Sequence, residues 1–87
     1  MSKITFAERA WAEYLYWQEN DKKILKRINA LLKDIVRNGQ YGIGKSEHLR
    51  YRDGWSKRID EVNRLVYQLK SDDIIEILQC KGHYEDN

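Results

Sequence analysis

Few residues in this sequence have the reach for chemistry. Glu47 stands in the run Gly42-Ile43-Gly44-Lys45-Ser46-Glu47-His48-Leu49, His83 sits beside Tyr84, and arginines recur between them at 50, 52, 58 and 64. Such a set suits cleavage of RNA without a metal. A base removes the proton of the ribose 2′-hydroxyl, an acid protonates the departing 5′-oxygen, and fixed cations stabilise the charge that builds on phosphorus. An imidazole, with a reference pKa of about 6.5, suits proton transfer near neutrality, and a carboxylate is ionised there and available as a base. The planar guanidinium matches a phosphate in shape and charge. Residue types alone leave other readings open. Glu47 and His83 are also compatible with ordinary surface positions, and Arg50, Arg52, Lys57, Arg58 and Arg64 with the solvated face of a sheet. His48 is a rival to its neighbour Glu47 as the base.

Other chemistries are harder to support. His48 and His83 are the only histidines and Cys80 the only cysteine, and no H-E-x-x-H or C-x-x-C pattern occurs. No metal site, no cofactor and no intramolecular disulfide are therefore expected. The glycines of Gly42–Ser46 lack the spacing of a phosphate-cradling loop and read as loop-shaping residues. Nothing resembles a signal peptide or reaches the length of a membrane span, so a cytoplasmic protein away from membranes is expected. The net charge of +2 is mild, but Lys22, Lys23, Lys26, Arg27, Lys33 and Arg37 crowd one segment against Asp21 and Asp34. That basic face is either simply solvated or tracks ribosomal RNA phosphates.

The elements that must position these groups follow from pattern. The 87 residues suffice for one domain, spanning 1–87. Ser2–Thr5 can form a short strand. Thr5 followed by Glu8 has the form of a capping box and predicts a helix from Phe6, with Ala7, Ala10, Trp11, Tyr14, Leu15 and Trp17 at helical spacing. Asn20-Asp21 interrupts it and can cap a second helix. That helix carries the stripe Ile24, Ile28, Leu31, Leu32 and Ile35 and stops at Asn38-Gly39. The tryptophans and tyrosines of the first helix read as core and interface aromatics. After a glycine-rich stretch the period changes to two. A short strand is expected near Glu47–Leu49, then a meander of Trp55–Ile59, Asn63–Leu69 and Asp73–Cys80. In its middle strand Leu65, Tyr67 and Leu69 face one way, and Arg64, Val66 and Gln68 the other. The expected class is α+β, an N-terminal helical hairpin packed on one face of a small antiparallel sheet.

Taken together, the run EYLYWQENDKKILKRINALLKDI, the segments GIGKSEHL and WSKRIDEVNRLVY, and the closing His83-Tyr84 resemble the Txe/YoeB toxins of the RelE superfamily. The similarity extends from about Trp11 to Tyr84. It implies a RelE-like fold and a type II toxin that cuts mRNA in the decoding site of the ribosome. It further implies a cognate antitoxin of YefM/Axe type that neutralises the toxin through its C-terminal segment. The pair would repress its own operon, so operator DNA would be met only through the complex, and a homodimer is compatible. Carried over residue by residue, the resemblance makes Glu47 the general base, His83 the general acid and Arg64 the transition-state cation. Arg58 and Arg50 become phosphate ligands and Tyr84 an RNA contact. Ser46 and His48 flank the glutamate where prolines are usual, Asn63 stands where histidine is common, and Glu85-Asp86-Asn87 follow the tyrosine. The reading from another functional class is a weakly active or inactive toxin-fold protein that binds an antitoxin and modulates repression.

Overall fold

The second helix shows most directly how sequence becomes structure. Asp21 adopts extended backbone, and its Oδ1 accepts hydrogen bonds from the Lys23 and Ile24 amides, 3.1 and 3.2 Å away. It thereby satisfies two donors that a helix start leaves orphaned, and its backbone also closes the preceding helix. From there Ile28, Leu31, Leu32 and Ile35 are buried on one face, as the stripe predicts, and Asn38-Gly39 ends the helix. In a computed structural model describing residues 2–71 and 73–84, the order is β1 (Lys3–Phe6), α1 (Glu8–Asn20), α2 (Lys22–Asn38), a short 3₁₀ turn (Gly39–Tyr41), β2 (Glu47–His48), β3 (Trp55–Arg58), β4 (Arg64–Lys70) and β5 (Ile74–Gln79). The acidic extension Glu85-Asp86-Asn87 lies outside the described residues.

The strands form one sheet in the order β1-β5-β4-β3-β2. β2 to β5 make the antiparallel meander that alternation predicts, but β1 joins β5 in parallel, Lys3 opposite Ile74 and Phe6 opposite Ile77. The sheet is therefore mixed rather than antiparallel: the helical hairpin acts as the crossover that carries the chain from one side to the other. This placement also overrides the expected capping box. Thr5 is a strand residue, α1 starts at Glu8 after Ala7, and no side chain caps it.

Both helices lie on the sheet face that presents Leu65, Tyr67, Ile75 and Ile77, and these residues form the core with Ile28, Leu31, Ile35 and Trp17. Trp17 Nε1 donates to the Cys80 carbonyl at 2.9 Å, while the Cys80 amide donates to Glu13 Oε1 at 2.8 Å, so α1 holds the end of β5 from both sides. Trp11 and Tyr16 remain about half exposed.

Lys57 is a correction to the solvated-face reading. It is fully buried on the helix side of β3, with Nζ 2.6 Å from the Ile43 carbonyl and 3.5 Å from Asp34 Oδ2. Asp34 in turn accepts from the Ile43 amide and from Asn38. Burial pushes the Asp34 carboxyl up, but these hydrogen bonds and the Lys57 ammonium outweigh it and hold its pKa below the ordinary carboxylate value. A carboxyl whose pKa falls on folding lends stability above its unfolded pKa of about 3.9 and withdraws it as pH drops through the folded value. Asp34→Ala should cost about 3 kcal/mol, because it strands a buried ammonium. Acid titration of the parent should show a larger loss of stability below that pH than the variant does, since Asp60, whose pKa hydrogen bonds also lower, remains in both. Equal midpoints for the two proteins in urea at neutral pH would reject the pair as a stabilising contact.

Candidate active site

The face of the sheet turned away from the helices gathers the chemistry. Alternation along β3 points Ser56 and Arg58 to this side, and register fixes what stands next to them: Glu47 opposite Ser56, Val66 opposite Ser56, Arg64 opposite Arg58. Beyond β5 the chain turns at Gly82 and delivers His83 and Tyr84 to the same place. Together Glu47, Arg50, Arg64, His83 and Tyr84 line a cleft of about 460 Å³, with His48 and Ser56 also in its wall. Five of the six residues singled out from sequence are thus brought together. The sixth, Arg58, is exposed next to the cleft, close enough to Arg64 for its charge to act on that guanidinium.

Arg64 is the most firmly held of these groups. Its Nε donates to Ser56 Oγ at 2.7 Å, one Nη2 proton reaches the Ser56 carbonyl at 3.2 Å, and the Glu47 carboxylate lies 3.9 Å from Nη2. Burial draws the Arg64 pKa down, Glu47 draws it up, and Arg58 draws it down again. The group stays cationic at any physiological pH. Two of its five N–H donors are engaged with Ser56 and fix the plane of the fork.

Glu47 owes its place to the loop before it. Gly42 packs so closely on Asp34 that a Cβ would fall on the carboxylate, and Gly44, at φ +94°, would press a Cβ to 2.9 Å from Leu31. The Arg58 amide donates to the Gly44 carbonyl at 2.7 Å, and Ser46 Oγ lies 3.3 Å from the buried Tyr67 hydroxyl. Burial pushes that hydroxyl's pKa up, keeping it protonated. These ties substitute for the rigidity that prolines would give. The carboxylate itself remains largely exposed, open to a ligand.

His48 stands in the wall of the same cleft, but its ring is engaged by other groups. Its register partner is Trp55, against which its ring sits edge-on at 4.7 Å, and its Nδ1 lies 2.8 Å from the Leu49 carbonyl. On the far side of the sheet Cys80 is buried, its thiol pushed up to about 12 by burial and by Glu13, with Arg9 acting in the opposite sense. It is no nucleophile. A larger hollow, about 800 Å³, runs along α2, but its one carboxylate is Asp34, already engaged with Ile43 and Lys57. Among the described residues no three His, Cys, Asp or Glu side chains gather into a group that could hold a metal, and no helix is long and apolar enough to cross a membrane. Sequence reasoning missed Ser56, Asn63 and Gln79, whose polar side chains hold the site's groups in place. It also missed Arg27, whose guanidinium ties α2 to the Arg58 and Ile59 carbonyls instead of facing solvent alone.

Comparison with known proteins agrees with this picture. Residues 6–84 match the family model of the YoeB-like toxin of bacterial type II toxin-antitoxin system. A toxin YoeB of Synechocystis sp. is 47% identical over 85 residues, covering 95% of this chain and 98% of that protein. The structure of a YoeB dimer from Staphylococcus aureus superposes with a TM-score of 0.88 at 49% identity, over 95% of this chain and 98% of that one. A YoeB–YefM complex from Staphylococcus aureus contains a chain that matches with a TM-score of 0.87 at 46% identity, over 97% and 99%. With a site on the sheet face and this similarity along nearly its whole length, the chain belongs to the YoeB-like toxins of bacterial type II toxin–antitoxin systems.

Proposed function

We propose that this toxin is a ribosome-dependent endoribonuclease that cuts mRNA in the decoding site. The observation that carries the reading is the cleft lined together by Glu47, the held Arg64 and His83, which come from three separate parts of the chain. In the proposed reaction Glu47 takes the proton of the 2′-hydroxyl, and that oxygen attacks the adjacent phosphorus. Arg64 stabilises the added negative charge on the phosphoryl oxygens. The bond to the 5′-oxygen breaks as His83 gives that oxygen its proton. The products are a 2′,3′-cyclic phosphate and a free 5′-hydroxyl, and no atom is left unaccounted for. Arg50 and Arg58 would receive neighbouring phosphates, and Tyr84 would contact the RNA.

The ribosome enters because the cleft is open and its carboxylate exposed, so little in the protein orients a flexible strand by itself. A surface that presents the mRNA in a fixed bend would supply that orientation. Purified protein should cut mRNA on programmed ribosomes at least about a hundredfold faster than the same RNA alone, with 3′ ends mapped by primer extension. Equal rates on both would remove the ribosome from the mechanism, and no cutting of either would remove the nuclease.

The partner follows from the same family. A relative is known in a YoeB–YefM complex, and another as a dimer. We assign this chain a YefM-like antitoxin whose C-terminal segment covers the toxin, a cytoplasmic setting, and contact with operator DNA only through that complex. Co-expression with the adjacent acidic gene product should restore growth, with a Kd of about 1 nM or tighter, equivalent to roughly −12 kcal/mol. A neighbour that neither binds nor protects would refute the pairing.

A further inference from the structure

We propose that Gln79 is a positioning residue that sets the place of the catalytic imidazole, acting through the backbone of residues 81–83. The inference rests on the reading of His83 as the general acid.

The argument begins with a change of parity in β5. Ile75 and Ile77 belong to the core, so an unbroken strand would aim Gln79 into the core and Cys80 away from it. The opposite is observed: Cys80 joins the core cluster. The cause is a register shift, in which Tyr67 pairs with Ile77 but its neighbour Val66 pairs with Gln79, leaving Leu78 without a partner in the ladder. The bulge turns Gln79 to the side that carries Val66 and Ser56, the side of the cleft. Bulges re-aim side chains in this way beside active sites.

There the Gln79 side chain, 4% exposed, meets three backbone carbonyls in succession. Its Nε2 lies 2.9 Å from the His83 oxygen, 3.1 Å from that of Lys81 and 3.3 Å from that of Gly82. All three partners are acceptors only, so the amide nitrogen and not its oxygen must face them, and two N–H groups are shared among three carbonyls. Asn63 holds the same turn from the other side. Its Oδ1 accepts the Gly82 amide at 2.8 Å, while the Arg64 amide donates to the Gly82 carbonyl at 3.0 Å. Asn63 is itself fixed by Asp60, which accepts from its amide and its side chain. The segment that presents His83 is thus held to the first residue of β4, which is Arg64. The acid and the phosphate cation share one frame, and Gln79 is the buried donor that closes it.

The test uses Gln79→Glu and Gln79→Met in the full-length protein, assayed by single turnover on programmed ribosomes. The glutamate cannot donate and sets a carboxylate against three carbonyls, and the methionine fills similar space with no donor. Both should lower kcat by about 10- to 100-fold, the scale of a misplaced catalytic group, with KM within about twofold. The loss should shrink on an RNA whose 5′-leaving oxygen is sulfur, which departs without a proton, as the loss in His83→Gln does. The double variant Gln79→Glu/His83→Gln should be no slower than His83→Gln alone. Near-parental kcat for both variants beside an impaired His83→Gln would overturn the inference and leave the proposed function standing. A loss that persists on the sulfur substrate and adds to that of His83→Gln would overturn it in favour of a purely structural role. A fully active His83→Gln would instead sink the acid assignment on which it rests. One measurement needs no variant: the Gly82 amide of the folded parent should exchange at least about tenfold more slowly than in an open chain, because it is bonded. Exchange at the open-chain rate would overturn the frame however the variants fold.

Discussion

Arg64→Ala should lower single-turnover cleavage of ribosome-bound mRNA by about two to three orders of magnitude, the scale of removing one preorganised charge stabiliser. The expectation rests on how the group is held. Ser56 engages Nε and one Nη2 proton from its hydroxyl and its carbonyl, so the guanidinium plane is set before any phosphate arrives. A cation that needs no reorganisation during the reaction acts with its full field on the phosphoryl oxygens. Arg64→Lys should recover only part of the rate, because an ammonium cannot keep two fixed donors on Ser56 while offering others to the substrate. Ser56→Ala should fall between the parent and Arg64→Lys, since the Ser56 carbonyl remains. An Arg64→Ala enzyme within threefold of the parent would return this residue to the solvated face of a sheet.

Glu47→Gln and His83→Gln should each cost about two to four orders of magnitude, the range for losing a positioned proton carrier. The two should part company on the sulfur-leaving-group RNA. The His83→Gln defect should largely disappear there, whereas Glu47→Gln should stay slow, because the 2′-hydroxyl still has to lose its proton. His48→Ala should keep near-parental activity, since its ring is packed edge-on to Trp55 and its Nδ1 is directed at the Leu49 carbonyl. An inactive His48→Ala beside an active Glu47→Gln would exchange the roles of the neighbours.

How far the sequence reveals this molecule depends on the range of the contacts involved. The stripe of α2, its Asp21 cap and its stop at Gly39 depend on residues a turn or two apart, and all three are legible. So is the meander from Trp55 to Gln79, because alternation and turn residues set its strands. The parallel pairing of β1 is not, because Lys3 meets Ile74 across almost the whole chain and no local pattern encodes it. The capping box at Thr5 is a local signal outvoted by that distant strand. Lys57 was within reach of reasoning: it shares a strand face with Trp55, and a lysine alternating with a tryptophan on the helix side has to be buried with a partner. Gln79 was not, because the bulge that redirects it follows from pairing and not from any motif. The proposed catalytic types were legible only in combination: the register of β2, β3 and β4 brings Glu47 and Arg64 together, and the turn at Gly82 adds His83 to the same cleft.

The tie between the early and late parts of the chain also has a kinetic meaning. Trp17 and Glu13 bond to Cys80 across separations of 63 and 67 residues, and β1 can complete the sheet only once β5 exists. Contacts of such range must close long loops before they return any free energy, which places folding toward the slower end for domains of this size. A chain emerging from its own ribosome at roughly 5–20 residues per second therefore cannot build this cleft piecemeal. The carboxylate, the guanidinium and the imidazole become a site together, and only after the last strand has been made.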